Sequence, residues 1–210
     1  MTVTDTKRLI VGAGGFGREL RELLALHDDL ELIGFLDDAE PGSDGPELGA
    51  PFLGAIDSNQ HREIPCILGV GYPEPKRSAL QAMGRAGRLL APPLVHPRAE
   101  LGRDVSMDDG AIITAGVVAT TNISLGRCVT LHPGCLLGHD VRCGDYVAVM
   151  PGAAVSGNVI LEEGVFVGTN AAILQGISIG AWATIGAGAV VTTDVAAGTT
   201  VVGVPARDVR

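Results

Sequence analysis

The chain has 210 residues, 46% of them hydrophobic, enough for one or two domains with cores of their own. A formal net charge of −9 excludes a nucleic-acid surface, which needs clustered cations to meet phosphates. No apolar run is long enough to cross a membrane, and residues 10–26 are broken by Gly, Arg and Glu, so they do not read as a secretory signal. A cytoplasmic protein without membrane partners is expected.

Lys7 to Val11 reads as a short apolar strand. Gly12-Ala13-Gly14-Gly15-Phe16-Gly17 follows, then a helical pattern from Arg18 to His27. Gly12, Gly14 and Gly17 fit G-x-G-x-x-G, whose glycines let backbone amides and a helix N-terminus approach a phosphate or similar anion. Leu30 to Leu36 is the second strand, closed by Asp37 and Asp38. An acid at that place typically accepts hydrogen bonds from a ribose or a base. Pro41 to Gly54 is loop. Pro65 to Val70 is a third strand ending at Gly71, Glu74 to Gly87 a helix, and Arg88 to Leu94 a last strand leading through Pro92-Pro93. Residues 1–94 therefore read as an α/β, Rossmann-like βαβ domain. It is too short for a complete two-halved dinucleotide fold, which favours a mononucleotide or nucleotide-sugar over NAD. The plainer alternative is a scaffold whose glycine turn holds no ligand.

From Leu101 to Ala196 the chain divides into sixteen hexads without a slip in register. Position one is apolar in all sixteen, and position five is Val, Ala, Ile or Cys in all sixteen. A fixed six-residue period is the mark of a β-solenoid whose stacked coils bury a continuous apolar axis. Only 3% of residues are aromatic and 30 are Gly, which suits such a tube of small residues. The four cysteines, Cys66, Cys128, Cys135 and Cys143, form no C-x-x-C pair. They read as small buried residues, not as a metal site or a disulfide framework.

His139-Asp140 is the candidate for chemistry. Position three of a hexad points outward near a corner, and a carboxylate beside an imidazole orients it as a general base. Taken alone, the pair reads more readily as a surface histidine beside a solvated acid. The register adds weight. Gly157 lies eighteen residues on in the same column. Pro151, Thr169 and Ala187 form a second column at the same hexad position. Small residues there leave bare backbone along which a pantetheine arm could lie. His132 lines the site or is a turn histidine. Trp182 packs on a neighbouring subunit or near an adenine; the sequence leaves both open.

GAGGFG, FLDD, the hexads with GHDVRCGD and SGNV, and the VGVPA tail together resemble the bacterial hexapeptide-repeat sugar acetyltransferases. The likeness is to the bacillosamine and perosamine N-acetyltransferase type, with sialic-acid O-acetyltransferase-like proteins sharing the pattern. The resemblance implies an all-β left-handed parallel β-helix over residues 95–210, acetyl transfer from acetyl-CoA to the amino group of a nucleotide-linked amino sugar, and no metal. It implies His139 as base and Asp140 as its helper. The nucleotide-sugar would meet Gly14, Gly15, Phe16, Asp37, Asp38 and Gly71. Acetyl-CoA would meet Gly157, Thr169 and Ala187. Family members are trimers with sites between adjacent solenoids, so a homotrimer is implied. Two departures stand out. Ala148 replaces a second histidine nine residues after the base, and Phe16 replaces the histidine of a G-H-G turn. The rival readings are an O-acetyltransferase, a catalytically weak binding solenoid and, least favoured, an NAD-binding module.

Overall fold

The computed structural model describes residues 6–40, 42 and 47–209. Part of the loop expected over Pro41–Gly54 lies outside them. Contacts divide the chain into two units, one running to Gly71 and taking up Pro75–Pro92, the other holding Tyr72–Glu74 and Pro93 onward.

In the first unit, β1 (Lys7–Val11) pairs in parallel with β2 (Glu31–Leu36) on one side and β3 (Cys66–Leu68) on the other. Helix α1 (Gly15–Leu24) follows β1, and α2 (Pro73–Arg85) follows β3. Leu9, Ile10, Leu20, Leu24, Phe35 and Leu68 are buried and form this unit's core. α1 starts three residues before the expected Arg18, because the extended Gly14 caps it, and it stops before His27. α2 opens on Pro73, whose missing N–H costs nothing in a first turn. The strand expected over Arg88–Leu94 does not form. Leu90 makes a single bridge to Cys66, Pro92 and Pro93 cannot donate, and Leu94 already belongs to the solenoid.

The second unit is a three-faced parallel solenoid. Its first face begins at Leu94–Val95, its second at Glu100–Leu101 and its third at Val105–Met107. Successive strands move from face to face, and each pairs with the strand eighteen residues on, as Leu136 does with Ala154 and Arg142 with Ile160. Eighteen residues are thus one coil. Position one of the hexads is buried from Ile113 to Val191, and position five from Ala111 to Ala189. Each buried aliphatic side chain contributes about 1.5–3 kcal/mol, so the interior accounts for most of the stability. Val95 and Ala99 pack against this core, so the repeat begins one hexad before Leu101. It also ends early. Ile179 bridges Val195 and Thr184 pairs with Thr200, sixteen residues on, so the last coil is two residues short.

The edge between the second and third faces turns through Asp104, Asn122, Asp140 and Asn158, at φ 58°, 52°, 63° and 56°. Asn and Asp are the side-chain-bearing residues that tolerate this left-handed conformation best. The backbone therefore selects the residue type at position four before any chemistry is asked of it.

All four cysteines are buried. Burial pushes the Cys135 and Cys143 thiols up to about 12, and Cys66 to about 11 despite the nearby Arg88 guanidinium. The native protein is expected to show no thiol reactive toward a disulfide reagent at mildly alkaline pH, and four after denaturation. Fast labelling of the native protein would contradict this burial.

Candidate functional site

In the first unit the glycine motif divides by role. Gly12 has φ +108°, and a Cβ there would sit 2.7 Å from the Gly69 carbonyl oxygen; a Cβ on Gly17 would overlap the Gly12 carbonyl oxygen. These two glycines let the chain pack on itself. Gly14 and Gly71 have open space where a Cβ would be, and so does Gly15 apart from the tip of Arg18. No acid lies in the first turn of α1, so the positive end of its dipole is not offset there by a side chain of the helix itself. Phe16 follows in that turn and is half-buried.

Asp37 and Asp38 brace this region. Asp37 Oδ2 accepts the Ala13 N–H at 2.8 Å and its Oδ1 the Ala39 N–H at 3.0 Å. Asp38 Oδ1 accepts the Ile56 N–H at 3.0 Å. Asp38 also lines a cleft of about 560 Å³ with Asp57, Arg62 and Arg85.

In the second unit, His139 and Asp140 sit on the turn after Leu136–Leu137. His139 Nδ1 lies 2.6 Å from Asp140 Oδ2, with side chains 50% and 40% exposed. The hydrogen bond from His139, and then one from Asn122, hold the Asp140 carboxyl below its ordinary range, so it is ionised at neutral pH. In the neutral ring an ionised acceptor favours the proton on Nδ1, and Nε2 then carries the lone pair. The ring lies over the next coil. A Cβ on Gly157 would come within 2.5 Å of Nε2 and 2.6 Å of Cε1. Gly157 is therefore the bare floor under the imidazole. Sequence reading missed Asn122, one coil earlier. Its signal was the eighteen-residue spacing to Asp140.

Thr169 and Ala187 lie on another edge of the solenoid, between the first and second faces, and so does His132, which is buried. Within one chain they do not meet His139. Ala148 is fully buried on the first face, paired with Phe166, on which Tyr72 stacks at 5.2 Å. Trp182 covers Gly164 and stacks on Tyr146 within its own chain, at 6.3 Å. Among the described residues no group of three or more His, Cys, Asp or Glu could hold a metal, and no helix is long and apolar enough to cross a membrane.

The model of the PglD N-terminal domain matches residues 7–83, and that of the bacterial transferase hexapeptide, six repeats, matches residues 158–193. The acetyltransferase domain of PglB from Neisseria gonorrhoeae is 30% identical, with a TM-score of 0.87, over 97% of this chain and 99% of that one. The chain belongs to the hexapeptide-repeat sugar acetyltransferases. WeeI from Acinetobacter baumannii is 28% identical over 97% of this chain and 100% of its own, with a TM-score of 0.85. A variant perosamine N-acetyltransferase from Caulobacter crescentus, solved with CoA and GDP-perosamine, is 24% identical over 97% of both chains, with a TM-score of 0.88. At that identity it adds the fold alone. No curated protein matches. The family fold gives the solenoid its hand, a left-handed parallel β-helix after the βαβ unit.

Gly157→Ala tests the floor under the ring. The backbone at 157 accepts Ala, so only the imidazole has to move. Misplacing a catalytic group by about 1 Å can cost roughly 100-fold. Turnover of the acetyl transfer proposed below is expected to fall by up to that factor, with the thermal midpoint unchanged. Wild-type turnover would show that the ring position does not matter.

Proposed function

We propose that the protein transfers the acetyl group of acetyl-CoA to the amino group of a nucleotide-linked amino sugar. The observation that carries this reading is the His139 Nδ1 contact with the ionised Asp140 carboxylate, which leaves Nε2 as the free base. The sugar amine attacks the thioester carbonyl, and His139 Nε2 takes its proton. Asp140 steadies the imidazolium. The C–S bond then breaks, and the thiolate leaves with a proton, from the imidazolium or from water. No residue is acylated, because the thioester is already an activated acyl donor. Gly14, Gly15, Phe16 and Gly71 form the nucleotide-sugar site, with Asp37 and Asp38 shaping it.

The working form is a homotrimer. The outer side of the second face carries Val118, Leu136, Ala154, Ala172 and Val190 in one column, none of them fully buried, and Leu136 is 45% exposed. An apolar column of this kind is suited to covering by another copy. When three copies turn this face toward a three-fold axis, the His139 edge of one lies against the Thr169 and Ala187 edge of the next. That supports a CoA arm running between Gly157 of one chain and Thr169 and Ala187 of its neighbour.

Thiol release from acetyl-CoA tests the reading, run with UDP-, GDP- and dTDP-linked amino sugars beside His139→Ala. One acceptor is expected to give release, and the variant to lose roughly 10²–10⁴-fold. Wild-type turnover by the variant would remove His139 from the mechanism. No release with any acceptor would count against an amino-sugar substrate.

A further inference from the structure

Asn122 is one coil before Asp140 on the same edge, and both turn in the left-handed conformation. The Asn122 Nδ2 donates to Asp140 Oδ1 at 2.5 Å, while the other carboxylate oxygen meets His139 Nδ1. The spacing between the two residues is set by the main chain. Asn122 N–H bonds to the Arg103 carbonyl and Asp140 N–H to the Thr121 carbonyl. Asn158 N–H bonds in turn to the His139 carbonyl at 2.8 Å. Two consecutive coils thus hold the amide against the carboxylate and its neighbouring imidazole, and the next coil is tied to them in turn.

A carboxylate on its own has a broad, two-fold torsion about its last bond. Exposed to water, as here, it would turn among orientations, some of which leave His139 Nδ1 without an acceptor. An anchored Oδ1 removes that freedom. The hydrogen bond is exposed and contributes little to folding; its effect lies in orientation. Resting on the base assignment made above, we propose that Asn122 is a positioning residue, locking the Asp140 carboxylate in the rotation that holds the proton on His139 Nδ1 and leaves Nε2 unprotonated.

The test uses Asn122→Gly, since Gly keeps the left-handed turn without strain. Imidazole ¹⁵N shifts of the full-length protein report the tautomer directly, with His139→Ala assigning the resonance. Wild type is expected to show His139 mainly as the Nδ1–H form, and Asn122→Gly a mixture of both tautomers. With acetyl-CoA and the most active acceptor of the panel, kcat should fall about tenfold at nearly constant KM, and Asn122→Gly should add nothing in an Asp140→Ala background. An unchanged tautomer with wild-type kcat would overturn the role of Asn122, as would an equal further loss in that background. Full turnover by His139→Ala would instead overturn the base assignment on which the role rests, so the two failures are distinguishable.

Discussion

Up to its last coil the solenoid follows one stacking rule, that residue n lies on residue n+18. Main-chain hydrogen bonds between coils enforce it, and the apolar residues at hexad positions one and five fill the space it encloses. Because interior and ladder together hold the coil, outward side chains at the edges are not needed to fill its core. A partly exposed hydrogen bond at an edge contributes only about 0.5–1.5 kcal/mol, less than one buried leucine. Edges can therefore carry polar and strained residues whose geometry serves chemistry. On the function proposed here the His139 edge is such a place. Asn122, Asp140 and His139 are joined by side-chain hydrogen bonds, and Gly157 leaves room for the ring.

The same rule distributes the candidate residues. His139, Asp140 and Gly157 share one edge, and Thr169 and Ala187 share another. Both edges border the second face, whose outer surface is apolar. A single chain therefore holds the proposed base but only part of the groove read as receiving CoA. Three-fold association through that face, as proposed, would bring the complementary edge to each proposed base, and assembly and catalysis would then depend on the same surface.

The hexads were legible because their period is imposed by packing, and packing acts on residue size and polarity, which sequence displays directly. The contact between His139 and Asp140 was legible as two neighbours in one hexad. Asn122 was not, because its relation to Asp140 runs through space across a coil, and its presence at a left-handed turn already has a sufficient backbone reason. The glycine motif showed the turn but not the division of labour. Whether a glycine is needed for packing, as Gly12 and Gly17 are, or leaves open backbone, as Gly14 does, depends on what a Cβ would meet. Short-range signals also shifted in the first unit. α1 begins at Gly15 without a side-chain cap, and the last strand expected before the solenoid failed at Pro92-Pro93. Trp182 lacked a sequence partner because Tyr146, which it stacks on, lies two coils away.

The central claim is that a base on a solenoid edge directs an acetyl group onto a sugar nitrogen. The product itself tests this most directly. Each nucleotide-linked amino sugar would be incubated with acetyl-CoA and the protein, and the product weighed by mass spectrometry before and after mild alkali. The account requires a product heavier by one acetyl group whose added mass survives alkali, as an amide does. An alkali-labile adduct would mean an ester formed at a sugar oxygen, and would contradict it.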